Sequence, residues 1–120
     1  ERGAREVTVI PISLDWSVAK ACAAHRRALW VVDFEGRGGA ARPSAEEVVD
    51  RALEAGVVGV DVAAQPDIVD ARFAQTILDA DLELHTWTVD DVATARHFAS
   101  IGVRSMTTNR PGALRAELGW

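Results

Sequence analysis

Two apolar, β-branched runs enclose one short amphipathic segment between Leu82 and Pro111, and that spacing restricts the fold more than any other feature of the chain. Leu82 to Val89 is dominated by apolar, aromatic and β-branched residues, the signature of a strand. Asp90 and Asp91 then offer a helix cap, and Val92, Ala95, Phe98 and Ala99 fall on one helical stripe. Gly102 stands where a helix C-terminal glycine belongs, and a second strand begins at once with Val103. A strand–helix–strand unit with connections this short crosses over right-handedly into a parallel sheet.

The same rhythm runs through the rest of the chain. Val7 to Ser13 reads as a buried strand, with Pro11 marking an edge or a bulge because it cannot donate to a ladder. Asp15 is placed to cap a helix reaching about Arg27, and Ala28 to Phe34 is a nearly all-apolar second strand. The glycine-rich stretch from Glu35 to Arg42 reads as a flexible connector. Ser44 and Glu47 have the capping-box spacing, and Gly56 closes the helix that they open. Val57 to Val62 is a third strand, Asp67 or Asp70 opens the next helix, and Pro111 starts a last one. The expectation is an α/β chain of about five parallel strands alternating with helices, one domain over residues 1–120. Periodicity alone leaves two architectures open: a doubly wound open sheet, or part of a (β/α) barrel.

Composition excludes several classes. An apolar share of 48% belongs to a globular chain, and no apolar run reaches the length of a membrane span. A net charge of −5 argues against sequence-independent nucleic-acid binding. Cys22 is the one cysteine, which leaves no internal disulfide and no cysteine-based zinc site. The first residues do not form a targeting segment, so a cytoplasmic location is expected. A first residue other than Met suggests that the chain begins inside a longer one.

Parallel α/β folds gather their chemistry at the carboxyl ends of the strands. That rule joins Ser13–Asp15, 33–39, 63–67, Trp87–Asp91 and Thr107–Arg110 into one rim. A period of two puts His85, Trp87 and Val89 on one face and Leu84, Thr86 and Thr88 on the other. Trp87 serves as a substrate-facing indole or as a core residue filling volume. His85 reads as a hydrogen-bonded structural residue, with general-acid chemistry as the alternative. His25 and His97 fall on helices, where surface positions are expected. Asp33 and Glu35 have a spacing that suits a hard cation, against the reading of two solvated loop carboxylates. Thr108 and Arg110 precede the helix begun at Pro111, where a phosphate would find N–H groups and a guanidinium. The competing reading is that Thr108 or Asn109 caps that helix and Arg110 faces water. Asp90 is expected to be a helix cap.

Trp87-Thr-Val-Asp90, a short helix, and then Gly102-Val-Arg-Ser-Met-Thr-Thr-Asn-Arg-Pro111 resemble the C-terminal end of the glycerophosphodiester phosphodiesterase family. Three positions depart from the family pattern. Asn109 replaces the usual Asp, Asp90 replaces a common Asn, and Ser13-Leu14 stands for Ser-Phe. The resemblance implies a partial TIM-type barrel and a parent enzyme that cleaves glycerophosphodiesters to an alcohol and glycerol 3-phosphate with Ca²⁺ or Mg²⁺. It implies that Trp87 faces the glycerol moiety and that Ser13, Thr108 and Arg110 share the substrate side. The family's catalytic and metal-binding motifs lie in its N-terminal part and are absent from residues 1–120. The chain alone is therefore expected to bind no cation and to catalyse nothing. Its partner is a small phosphodiester, and neither nucleic acid nor a membrane span is expected. The rival expectation is a non-catalytic half-barrel that forms a homodimer through its open strands.

Overall fold

In the computed structural model the described residues are 12–13, 15–24, 27–37 and 40–119. Five strands alternate with five helices: β1 (Ile12–Ser13), α1 (Trp16–Ala23), β2 (Leu29–Val32), α2 (Ala45–Ala55), β3 (Gly59–Ala63), α3 (Ala71–Asp79), β4 (Glu83–Trp87), α4 (Val92–Ser100), β5 (Ser105–Met106) and α5 (Pro111–Leu118). The expected strand from Val7, with Pro11, lies outside the described residues except for the backbone of Ile12 and Ser13. His25 and the Ser13 side chain lie outside them as well.

Local chemistry sets the helix ends. The Asp15 carboxylate accepts from the N–H groups of Ser17 and Val18 and starts α1, which stops at Ala23, short of the expected Arg27. Ser44 and Glu47 form a reciprocal capping box on α2. Gly56 ends that helix at φ 77°, a left-handed conformation that glycine adopts without a Cβ penalty. Asp70, not Asp67, caps α3, through the N–H of Phe73. The 35–42 connector is pinched shut by two backbone hydrogen bonds between Glu35 and Arg42, of 2.8 and 2.7 Å. That antiparallel bridge anchors both ends of the connector.

All strand pairs are parallel, and the order in space is β1-β2-β3-β4-β5. This order decides between the two architectures. Right-handed crossovers between successive neighbours keep every helix on one side of the sheet, as in a barrel wall. A doubly wound sheet reverses direction partway and places helices on both sides. The sheet is not closed: β1 and β5 each have one strand neighbour among the described residues. The chain is a partial TIM-type barrel.

The two faces of the sheet differ accordingly. Val60, Val62, Leu84 and Thr86 point toward the helices and are fully buried with Val48, Ile77, Ala95 and Phe98. Thr86 keeps its place in this apolar layer because its hydroxyl donates to the Val62 carbonyl at 2.9 Å. The inner face carries Gly59, Asp61 and Ala63 of β3 beside Glu83, His85 and Trp87 of β4, register partner for register partner. Gly59 is required there: a Cβ would come within 2.5 Å of the Glu83 carbonyl oxygen.

Candidate functional site at the carboxyl rim

Trp87 is the last residue of β4, and its indole is half-buried on the inner face. The Nε1–H donates to the Asp61 carbonyl at 3.0 Å, which fixes the ring across β3. Beyond the strand the alternation ends. Val89 is fully buried instead of sharing the half-buried face of Trp87. Its N–H donates to the Thr107 carbonyl at 2.8 Å, which ties the end of β4 to the end of β5.

Thr107 to Arg110 lie at the same end of the sheet as Trp87, because β4 and β5 are parallel neighbours. The organiser of this loop is Asp90. Its carboxylate accepts from the Thr108 hydroxyl at 3.0 Å, the Asn109 N–H at 2.8 Å and the Asn109 side-chain amide at 3.2 Å. The backbone N–H of Asn109 is the main cause that holds the Asp90 carboxyl below the usual aspartate range. Capping of α4 falls to Asp91 instead, which accepts from the N–H of Thr94 at 3.0 Å. The expected cap role of Asp90 is thus corrected: its carboxylate is taken up by the following loop.

Arg110 is engaged at both ends of its guanidinium, by the Asp90 carbonyl at 2.6 Å and by Glu117 at 2.9 Å. The Thr108 hydroxyl accepts from the Arg110 N–H at 2.9 Å while donating to Asp90. No side-chain hydrogen bond caps α5; Arg110 occupies the N-cap position and Pro111 opens the helix. Two of the three departures from the family pattern meet in this loop. Asp90 and Asn109 face each other, so a carboxylate and an amide have exchanged sides of one contact.

Asp33 and Glu35 are exposed at the end of β2, and Asp33 spends one oxygen on the N–H of Phe34. Among the described residues no group of three or more His, Cys, Asp and Glu side chains converges as a cation cradle. The donor set of these described residues therefore does not fit a Ca²⁺ or Mg²⁺ site. His97 is not a surface residue: it is half-buried, meets the Val69 carbonyl at 2.9 Å and packs edge-on against Phe98.

Below Trp87 the inner face carries a polar group that sequence reading found only in part. His85 contacts the Ser105 hydroxyl through Nδ1 at 2.5 Å and Glu83 through Nε2 at 3.0 Å. Glu83 also pairs with Arg27 and, at 3.2 Å, with Arg104. Its burial would raise its pKa, but the bond from His85 and the two guanidinium charges prevail and hold it low. Asp61, beside His85 in register, is 7% exposed, and its Oδ1 has no hydrogen-bond partner. Burial pushes its carboxyl upward against the pull of His85. The alternation of Glu83, His85 and Trp87 was the available signal for this face. Only the tertiary pairing with Asp61, Arg104 and Ser105 completes it.

A wall of parallel β/α units carrying a rim of this kind defines a TIM-type barrel protein of which this chain forms a part. Residues 8–113 match the glycerophosphoryl diester phosphodiesterase family. The chain belongs to that family. It is similar in fold to an Oleispira antarctica phosphodiesterase in complex with the product sn-glycerol-3-phosphate: 15% identity and a TM-score of 0.75, covering 98% of this chain and 44% of that one. Glycerophosphodiester phosphodiesterases of Parabacteroides distasonis (19% identity, TM-score 0.62) and Thermotoga maritima (15%, 0.63) align over 90% and 82% of this chain. The chain covers 42% of each of those two structures. No curated protein matches it by sequence.

Proposed function

We propose that this chain forms the substrate-facing side of a glycerophosphodiester phosphodiesterase barrel, whose parent cleaves glycerophosphodiesters to an alcohol and glycerol 3-phosphate. The observation that carries the reading is the family match over 8–113 together with Trp87 and Arg110 at one end of adjacent parallel strands. In this reading the Trp87 indole, held by Asp61, packs against the glycerol carbons. Thr108 presents a hydroxyl on the same rim. Arg110 reaches a phosphate by exchanging its Glu117 partner for the anion. The divalent cation, when bound in the parent, supplies charge stabilisation to the phosphate from residues outside this chain. The chain by itself catalyses no hydrolysis.

Titration of the chain with glycerol 3-phosphate, followed by tryptophan fluorescence and calorimetry, tests the binding half. Saturable binding that Trp87→Ala and Arg110→Ala each weaken is the expected result; binding unaffected by either substitution defeats it. Incubation with glycerophosphocholine and added Ca²⁺ or Mg²⁺ tests the other half, and release of choline would contradict it.

The open edges of β1 and β5 favour a second reading, a non-catalytic half-barrel that pairs with a second copy. Light scattering after size exclusion gives a symmetric dimer in that case and a monomer in the first.

A further inference from the structure

Over β5 the outer layer is filled less completely than elsewhere. On α4 the residues lining this space are Ala95 and Ala99, and on α5 they are Pro111, Leu114, Arg115 and Leu118, both sets at helical spacing. The two alanine methyl groups do not reach across to the leucines, so a cleft of about 360 Å³ remains between α4, α5 and β5. Met106, register partner of the helix-facing Thr86, and Val103 form its floor. Where the same layer covers β3 and β4, Val60, Val62 and Leu84 are fully buried, whereas Val103, Met106 and Leu118 stay half-buried. Two charged side chains line the cleft, Arg104 and Arg115, and both are cations. Arg104 is paired with Glu83 at 3.2 Å. Among the described residues the exposed Arg115 forms no ion pair, which leaves its guanidinium available to a ligand.

An accessible apolar slot with a cation at its lip is complementary to an alkyl chain that ends in an anion. We propose that this cleft binds a medium-chain fatty carboxylate, with the alkyl chain along Val103, Met106 and Leu118 and the carboxylate on the Arg115 guanidinium. At about 30 Å³ for a group the size of a water molecule, the volume holds a chain of about ten carbons. Guanidinium and carboxylate meet through two parallel N–H···O bonds, a match that a hydroxyl or an ammonium head group lacks. No covalent bond is made or broken; the driving force is removal of methylenes and half-buried side chains from water. The cleft opens on the helix face, away from the barrel axis, so its occupancy depends neither on the rim nor on the function proposed for it.

Met106 is the chain's one methionine, so an isotope-labelled methyl group gives a single magnetic-resonance reporter on the floor of the cleft. The test titrates the labelled whole chain with decanoate below its micellar concentration. A saturable shift of the Met106 methyl resonance is expected. In calorimetry the series from hexanoate to decanoate should tighten about fourfold per added methylene. Arg115→Glu should weaken decanoate about tenfold, and decyltrimethylammonium should bind the native chain more weakly than decanoate by about the same factor. Ala99→Phe, which fills the cleft from an exposed position, should abolish both the shift and the heat. Arg115 is exposed, so its exchange tests the head-group contact without entering the core. Failure of decanoate to bind, binding that leaves Met106 unmoved, an affinity indifferent to chain length, or equal binding by Arg115→Glu overturns the proposal. A Met106 resonance that shifts when the ligand-free chain is diluted would seat a second copy in the cleft, and that result overturns it as well.

Discussion

The two faces of strands β3 and β4 share one backbone and one register, yet they follow different rules. Toward the helices, Val60, Val62, Leu84 and Thr86 are sealed in an apolar layer whose one polar group is satisfied. Toward the barrel axis, Asp61, Glu83, His85 and Trp87 are joined by hydrogen bonds on β3 and β4, and one buried oxygen stays unmatched. The outer layer is the source of stability because burial is worth free energy wherever water is excluded. The inner layer contributes orientation: Glu83 and Ser105 hold the His85 ring, and the Asp61 carbonyl holds the Trp87 indole.

The sharpest way to break that contrast is to delete volume from the sealed side. Leu84→Ala should cost about 3 kcal/mol in a denaturant titration, whereas His85→Ala, one residue along on the inner face, should cost about 1 kcal/mol. Equal losses would mean that the two faces are not different environments. Next in size is Gly59→Ala, expected to cost about 2 kcal/mol because the added carbon meets the backbone of Glu83 rather than a movable side chain.

Asp61→Asn sharpens the comparison in the other direction. It should raise stability by about 1 kcal/mol at pH 7, since it removes a buried carboxylate whose Oδ1 is unmatched. The folded state holds the Asp61 proton more tightly than the unfolded chain, so protonation favours folding. The gain over the native chain should therefore be complete above the raised pKa and close as pH falls through it. Thermal unfolding from pH 7 to pH 3 measures both.

The smallest expected effects belong to the rim. Asp90→Asn and Asn109→Asp should each lower the melting temperature slightly, and the double exchange should recover most of the loss, because it restores one carboxylate facing one amide. The Asp90 carboxyl is lowered, so its contribution is present above the ordinary aspartate range and is lost as pH falls through its folded value. Two additive losses in the double variant would show that these residues do not act as a pair.

Much of this was legible beforehand, for local reasons. The caps at Asp15 and Ser44 and the glycine at 56 depend on residues within a few positions of each other, and the structure has them as read, while at α3 it chose Asp70 of the two aspartates left open. Asp90 and Asp91 were harder. Either carboxylate reaches an N–H three residues on, and what separates them is the loop of Asn109, nineteen residues away. Ser105 gave no signal at all, since a lone serine in a short strand becomes noticeable only beside His85.

The order of strong and weak segments, the direction of each crossover and the alternation that places His85 and Trp87 together followed from sequence alone, because propensity, capping and chirality act over short stretches of chain. Spatial order did not. Five β/α units of this pattern satisfy both a doubly wound sheet and a barrel wall, and the choice depends on which strands become neighbours. That choice put all helices on one side, brought Asp61, His85 and Ser105 into one row, and made Asp90 a partner of Asn109. Contacts between strands are set by packing over distances that no local pattern encodes.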